Sequence, residues 1–502
     1  MALAHLGRWN MAQKALETGH RQCPQEKRFD IELAGVFFQK KQYPNAVVWV
    51  NRGLKLDPAD SYANDLAGTT YLLLGNLCAA LKYWNRIHKP YVLFLHFGSQ
   101  LHIERLILDR SVAFSPASVI EQSEIDTTET RLRGLGIFPS YNITLRPRGD
   151  GEYDVDLNAI ERNGFGNSRT QALMATFSGA WYDTVYPSYF NIRRSAANLE
   201  SLVRWDAQKR RVWLSYSAPL RSLPQWRIQL ATDERNENWS IRQSFTGAAP
   251  VLGSLNLESE KLVGSLTSLQ SGRLQWSIGS ELSHRGCRDV LYGPGLTPAL
   301  TLAGFQLKQL ASVQTKIFDL PERRFALSAG AGSEFGRIWS TSPQLFEELQ
   351  GFTFADWYPE ARGDEWEMQA RVRAGGTLGK APFDELYMLG MERDNDLWLR
   401  GEIGTRDGRK GSSPLGTSYF LSNLDLQRRL YDNGLFKLKV GPLFDVGRVS
   451  APMAYSANNR WIFNAGAEAR INVLGTNLVF SYGRDLNAGT NAFFGSVIRR
   501  SQ

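Results

Sequence analysis

The chain has 502 residues, enough for two or three domains, and its 45 glycines, 14 tryptophans, 18 tyrosines and 26 phenylalanines favour β structure rich in turns. Its formal net charge is +8, but Lys and Arg are spread along the chain rather than clustered, so we expect no nucleic-acid partner. The mean hydropathy of -0.32 does not exclude a membrane β-barrel, because only alternate residues of a barrel strand face lipid.

The first 95 residues repeat with a period of 34 residues. Small and aromatic positions recur at this spacing: Ala12, Ala46 and Ala80, and also Trp9, Tyr43 and Leu77. The pattern resembles tetratricopeptide repeats, in which small residues allow close helix packing and aromatic residues fill the groove between paired helices. It predicts an α-helical repeat domain over residues 1–95. Because Met1 leads directly into the first repeat without a signal peptide, we expect further sequence upstream.

The resemblance to such repeats implies a concave surface that binds a periplasmic or envelope protein. The alternative is a spacer or solubilising arm. Deleting the repeats and comparing the proteins that co-purify with the two forms would separate these possibilities.

Residues 96–165 show a different pattern, which predicts an α/β domain. We expect a strand over 103–108, a helix that opens at Ser115-Pro116 and stops at Gly134 and Gly136, and two strands over 141–146 and 151–162. This order resembles a single POTRA domain. The resemblance implies an exposed sheet edge that accepts an extended client strand. The alternative is a rigid collar that only positions the repeats.

From residue 166 to residue 502, strand patterns recur between turn signals and predict about sixteen antiparallel strands, about eleven of them before Arg400 and about five after it. In residues 436–447 the even positions are apolar, whereas the odd positions include Lys437, Lys439 and Asp445. An apolar outer face and a polar inner face are typical of a transmembrane barrel wall. The predicted fold is an all-β transmembrane barrel that follows the POTRA-like and helical repeat domains.

Two short motifs predict a contact inside the barrel. The second motif, Phe444-Asp445-Val446-Gly447, begins 44 residues after Arg400 of the first motif, Arg400-Gly401. A guanidinium in the lumen loses water and needs a carboxylate, and Asp445 lies on the inward face of its strand. We therefore expect Arg400 to contact Asp445, with Gly401 and Gly447 allowing a close approach of the two backbones.

The two motifs resemble the loop and wall motifs of the BamA and TamA superfamily of outer-membrane insertases and secretion pores. Residues 383–390, FDELYMLG, resemble the family's segment before its sixth extracellular loop, although Met391 replaces a usual glycine. The resemblance implies a bacterial outer-membrane barrel in contact with the lipid bilayer, with its N-terminal domains in the periplasm. It also implies insertion of outer-membrane proteins or translocation of secreted proteins, with an unfolded polypeptide as the partner.

Two alternatives to this function are a non-enzymatic outer-membrane scaffold or passive pore, and a soluble β protein in which these motifs are ordinary turns. The sequence contains no GxSxG elbow, phosphate loop or HExxH pair, and only six histidines, so we expect no enzyme activity, no cofactor and no metal. The cysteines, Cys23, Cys78 and Cys287, are odd in number and lack metal-ligand spacing, which argues against a disulfide framework.

Overall fold

The computed structural model describes residues 6–149, 151–242, 250–340, 343–360, 365–450, 460–473 and 476–498. Residues 1–5, at the start of the predicted repeats, and Asp150, in the second predicted domain, lie outside this description. Within the described ranges, no helix has the length and apolarity needed to cross a bilayer.

From residue 6 onward, the N-terminal part contains five helices: α1 (Trp9–Gln22), α2 (Lys27–Gln39), α3 (Tyr43–Leu56), α4 (Ser61–Leu73) and α5 (Leu77–Trp84). Helices α1, α3 and α5 begin 34 residues apart, in agreement with the sequence period. Ala12, Ala46 and Ala80 are buried where neighbouring helices meet. Trp9 and Tyr43 begin α1 and α3, and the Tyr43 ring packs edge-on against Phe38 at 5.6 Å. The 34-residue spacing therefore repeats a helix pair.

A four-stranded sheet with two helices follows. Its elements are β1 (Tyr91–Phe97), α6 (Arg105–Ser111), β2 (Ser118–Val119), α7 (Gln122–Leu135), β3 (Ser140–Gly149) and β4 (Glu152–Ile160), and the strand order is β2-β1-β4-β3. Strand β1 begins inside the range that the sequence assigned to the repeats. Strands β3 and β4 pair as an antiparallel hairpin, close to the two strands predicted there.

The structure corrects three details of this domain. Residues 105–108 are helical rather than extended, because Ile107 and Leu108 turn one face of α6 into the core. The next helix begins at Gln122 rather than near Pro116, since Glu121 and Glu124 form a capping box there. Gly134 lies inside this helix, and only Gly136 caps it, with a φ of 72°.

The rest of the chain forms a curved antiparallel sheet. Its strands are β5 (Thr184–Val185), β6 (Ser188–Ile192), β7 (Ala197–Trp205), β8 (Lys209–Leu220), β9 (Leu223–Arg242), β10 (Val251–Ser268), β11 (Leu274–Leu291), β12 (Gly304–Leu320), β13 (Phe325–Trp339), β14 (Gln344–Trp357) and β15 (Trp366–Gly379). After a long loop that carries the short strands β16 (Tyr387–Met388), β17 (Thr405–Arg406), β18 (Arg409–Lys410) and β19 (Leu415–Gly416) come β20 (Ser418–Asp432), β21 (Phe436–Ser450), β22 (Ile462–Val473), β23 (Thr476–Asp485) and β24 (Asn491–Ile498).

The predicted barrel architecture is confirmed, with one difference in the strand count. If β5 and β6, which both pair with β7, are taken as one interrupted strand, the described residues contain ten wall strands before the long loop and five after it. Residues 169–177, inside the range predicted to form the barrel, are helical (α8, Arg169–Phe177).

Side chains alternate across the wall as the sequence predicted. On β21, Phe444 is 40% exposed on the outer face, whereas Asp445 next to it is fully buried on the inner face. Exposed apolar residues recur on one face of most long strands, including Ile278, Val313 and Leu349. The outer surface is therefore suited to a lipid environment, and the polar residues face the lumen.

The N-terminal domains dock on one rim of the barrel. Arg227 on β9 donates to the Gly134 carbonyl oxygen at 2.8 Å. Farther along the rim, Lys82 on α5 pairs with Glu322 at 2.8 Å. These contacts fix which end of the barrel faces the helical domain, and the long loop begins and ends at the opposite end.

Candidate functional site: a loop held in the barrel lumen

Residues 380–417, here called the lumen loop, connect β15 to β20 and fold back into the barrel. The short strands β16 and β19 pair at the base of the loop, through Tyr387 with Gly416 and Met388 with Leu415. Strands β17 and β18 form a small hairpin farther along, and Lys410 on β18 pairs with Trp239 on the wall strand β9. The loop thus has its own backbone structure and also joins the wall.

The structure brings Arg400 and Asp445 together at the tip of this loop. Arg400 Nε donates to Asp445 Oδ2 at 2.9 Å, and Nη2 donates to Oδ1 at 2.6 Å. The backbone N–H of Arg400 also donates to Asp445 Oδ2, at 2.8 Å. Both side chains are buried, so the guanidinium and the carboxylate supply each other with the hydrogen bonds that water would otherwise make.

Two further carboxylates surround the Arg400 guanidinium. Its Nη1 donates to Asp425 Oδ1 on β20 and to Glu468 Oε2 on β22, the latter at 3.2 Å. Arg470 binds the other side of this pair, with Nη2 3.0 Å from Asp425 and Nε 2.6 Å from Glu468. The loop tip is therefore held by three neighbouring wall strands rather than by β21 alone.

The remaining residues of the predicted lumen contact behave differently from one another. A Cβ on Gly447 would lie 3.0 Å from Leu399, so this glycine makes room for a loop side chain. A Cβ on Gly401 would lie 2.5 Å from the amide carbon of Asn464. Phe444 faces outward and takes no direct part in the contact.

The close backbone approach expected between Gly401 and Gly447 is found instead between the Arg400-Gly401 backbone and Gly483 on β23. A Cβ at this position would lie 1.9 Å from the Arg400 carbonyl oxygen, a distance that no side chain tolerates without a backbone shift. Gly483 therefore lets the loop tip lie directly on the wall.

A second group of ion pairs holds the middle of the lumen loop against the opposite wall. Asp394 pairs with Arg204 on β7 and with Arg211 on β8, each at 2.6 Å. Glu392 pairs with Lys209 at 3.0 Å, and Lys410 lies 3.3 Å from Asp394. All these side chains are buried.

A third group holds the first part of the loop. Glu385, in the short 3-10 helix Phe383–Glu385, pairs with Lys308 on β12 at 3.1 Å and with Arg285 on β11 at 3.2 Å. Arg285 also lies 3.3 Å from Asp384. The three groups together attach the lumen loop to wall strands β7, β8, β11, β12, β20, β21 and β22.

Sequence reasoning identified the Arg400 contact and missed the other two groups. A usable signal was present, because the loop segment 383–396 is rich in carboxylates whereas the inward positions of β7 and β8 are basic. Opposite charges on a loop and on inward wall positions favour contact once both are removed from water.

The seam between the first and last wall strands is unusual. Strand β24 is next to β5 in the strand order, but β5 is only two residues long, so the ladder between these two strands is short. Gly164 forms a bridge with Phe190 at one rim of the barrel. Near the other rim, the Asp183 carbonyl oxygen accepts a hydrogen bond from the Trp205 N–H. The chain between Gly164 and Asp183 therefore runs from one rim to the other. Helix α8 and residues 178–183, here called the seam segment, fill this interval.

The seam segment contacts both strands that it separates. The Thr176 carbonyl oxygen accepts from the Tyr186 N–H at 2.8 Å, which occupies a donor on the first strand. On the other side, Trp181 packs over Gly495 of β24, and Val497 packs against the buried cluster that contains Tyr182. Helical and side-chain contacts thus supplement a short strand pairing at the seam.

The sequence matches no protein-family model and no curated protein. Among solved structures, the chain is similar to CdiB from Escherichia coli, with 11% identity, a TM-score of 0.52, and coverage of 82% of this chain and 75% of that one. CdiB from Acinetobacter baumannii gives 11% identity, a TM-score of 0.48 and coverage of 92% and 86%. BamA from Haemophilus ducreyi lacking POTRA domains 1-3 gives 14% identity, a TM-score of 0.44 and coverage of 81% and 84%. The chain thus has the fold of CdiB from Escherichia coli.

Proposed function

We propose that this protein is a bacterial outer-membrane barrel that inserts or translocates polypeptide. The seam supports this function best. Opening a barrel whose first and last strands are fully paired breaks many backbone hydrogen bonds. Opening this barrel requires the loss of only the short strand pairing and the few contacts that the seam segment makes. Displacing it uncovers the backbone donors and acceptors of the first and last strands.

An unfolded outer-membrane or secreted polypeptide is the partner that such edges suit. An incoming strand pairs its backbone with an uncovered edge, and burial of its apolar side chains in lipid then favours insertion. No nucleotide is needed, since backbone pairing and lipid burial supply the driving free energy.

The N-terminal domains lie in the periplasm in this proposal. The four-stranded domain serves as a POTRA-like module, because β3 is ten residues long and lies at a sheet edge, where an extended client can add a strand. The helical repeats bind a periplasmic or envelope protein. Their removal should eliminate a co-purifying protein; an unchanged set of co-purifying proteins would favour a spacer.

Crosslinking the seam tests the function. In a background with the native cysteines replaced by Ser, Trp181→Cys and Gly495→Cys place two thiols across the seam for a short bifunctional maleimide. A matched control places Val313→Cys and Ala331→Cys on β12 and β13, two neighbouring strands whose residues already pair. Trp181, Val313 and Ala331 are exposed, and a Cβ on Gly495 would contact Trp181.

We expect crosslinking at the seam to stop insertion or secretion of client protein, and crosslinking in the control pair to leave it unchanged. Full activity of the seam-crosslinked protein would instead favour the alternative function, an outer-membrane scaffold or passive pore whose barrel stays shut.

A further inference from the structure

The lumen contains a group of buried carboxylates that its basic residues do not balance. Five carboxylates lie together on β11, β13, β14 and the lumen loop: Glu281, Glu334, Glu348, Asp384 and Glu385. Three cations accompany them: Lys261, Lys308 and Arg285. With every group ionised, this cluster, here called the carboxylate cluster, carries two more negative than positive charges.

Three of these carboxylates converge on one point. Oxygen atoms of Glu334, Glu348 and Glu385 lie within 4.8 Å of one another. Two oxygens bound to one Ca²⁺ are at most about 5 Å apart, twice the usual bond length of 2.3–2.6 Å, so one ion can reach all three. Ca²⁺ accepts carboxylate oxygens in flexible geometry, which suits ligands from two strands and a loop.

Glu348 is only 4% exposed, yet within the described residues it has no ion-pair partner of its own. Its Oε1 makes no hydrogen bond within the described residues, and no Lys or Arg there lies within ion-pair distance of it. Glu334 is its direct cross-strand neighbour in the β13–β14 register. Two like charges directly opposite each other on one face of a sheet are destabilising unless a cation lies between them.

A neutral oxygen is available at the same place. Gln306 is fully buried, and its Nε2 donates to Glu385 Oε1 at 2.9 Å. Its own amide oxygen has no partner among the described residues. Side-chain amide oxygens are ordinary Ca²⁺ ligands.

We propose that Glu334, Glu348 and Glu385 bind a divalent cation, Ca²⁺, with the Gln306 amide oxygen as a further ligand. One such ion carries the two positive charges that the cluster lacks. Lys308 keeps its bonds to Glu334 at 2.8 Å and to Glu385 at 3.1 Å, so the ion adds to the existing ion pairs.

The ion joins the lumen loop to the wall, because Glu385 belongs to the loop whereas Glu334 and Glu348 belong to β13 and β14. Calcium therefore holds the first part of the loop in the lumen. This role is independent of whether the barrel handles polypeptide.

The test uses the full-length protein in detergent, stripped with EGTA and titrated with CaCl₂ by calorimetry. Glu348→Gln removes one ligand charge at nearly constant volume. Glu347→Gln is the matched control, because it is the same substitution on the neighbouring residue, which faces outward between the exposed Leu345 and Leu349.

We expect saturable binding of one Ca²⁺ by the wild-type protein and by Glu347→Gln, and binding weakened about tenfold or more in Glu348→Gln. EGTA should also speed tryptic cleavage of the lumen loop in the wild-type protein and not in Glu348→Gln. Absence of saturable calcium binding by the wild-type protein, or equal affinity in the two Glu→Gln variants, would overturn the proposal. So would a loop whose protection depends on pH and not on calcium, since a retained proton would then balance the cluster.

Discussion

Arg400 and Asp445 are joined twice, once through the guanidinium and once through the Arg400 backbone amide. The guanidinium bonds are 2.6 and 2.9 Å long, and the amide bond is 2.8 Å long. Truncating the arginine removes only the guanidinium bonds, whereas truncating the aspartate removes all of them. The two substitutions are therefore unequal, and Asp445 is the residue on which the loop tip depends more.

Arg400→Ala should lower the free energy of unfolding by about 3 to 5 kcal/mol, because it leaves the buried Asp445 carboxylate without its cation. Asp445→Ala should cost at least as much. The double variant should lose less than the sum of the single losses, since the two residues share one interaction. Denaturant unfolding of the purified barrel measures all three.

Arg428→Ala is the control for this cycle. Arg428 forms an ion pair with Glu365 at 3.2 Å, but both side chains are largely exposed. Its loss should cost about 0 to 1 kcal/mol. Additive losses for Arg400→Ala and Asp445→Ala would show that the two residues do not act as one contact.

Asp394→Ala should release the middle of the lumen loop. The substitution leaves Arg204 and Arg211 buried without the carboxylate that both of them bind at 2.6 Å. A loss of about 3 kcal/mol corresponds to about a hundredfold larger open population, and we expect tryptic cleavage within residues 380–417 to accelerate accordingly. Asp396→Ala is the control, because Asp396 lies two residues further along the same loop and its side chain is 88% exposed. This substitution should change the cleavage rate little. Equal cleavage of the two variants would contradict the anchoring role of Asp394.

Gly483→Ala should displace the loop tip. The new methyl group would lie 1.9 Å from the Arg400 carbonyl oxygen, and we expect a loss of about 1 to 3 kcal/mol in unfolding free energy from overpacking. Gly264→Ala on β10 is the matched control, because a Cβ there meets nothing within 4 Å. If the two alanine variants were equally stable, the close backbone contact at Gly483 would contribute nothing to the free energy of unfolding.

Cys78 should resist alkylation in the folded protein. Burial raises the pKa of this thiol to about 12, so only about one molecule in 10⁴ carries the reactive thiolate at pH 8. Its modification by iodoacetamide should therefore quicken about tenfold per pH unit between pH 7 and 9. The exposed Cys23 in the same chain serves as the internal reference and should react first. Modification of both thiols at the same rate would contradict the prediction, and mass spectrometry of the peptides separates the two.

Most of the correct structural predictions came from patterns among residues close together in the sequence. Alternation placed Phe444 and Asp445 on opposite faces of one strand, and the 34-residue period placed the starts of three helices. Both features depend only on residues near one another in the chain. The contact between Arg400 and Asp445 could be predicted because each of the two residues lies in a short sequence motif.

The contacts that sequence reasoning missed depend on the closed shape of the barrel. Asp394 meets Arg204 across 190 residues of sequence, and no local pattern reports that both face the same space. The misplaced strand over 103–108 has another cause, because Ile103, Ile107 and Leu108 form a short apolar cluster that fits either a strand or one helical face. Packing against the domain core decides in favour of the helix.

The seam segment also bears on edge-to-edge pairing between two copies of the chain. An uncovered strand edge is a template for another copy of the same chain, and two barrels opened at the seam could pair edge to edge. Thr176 occupies the Tyr186 N–H, and Pro187 next to it has no N–H to offer, so two successive positions on the first strand present no free donor. Helix α8 therefore limits edge-to-edge pairing at these two positions of the first strand.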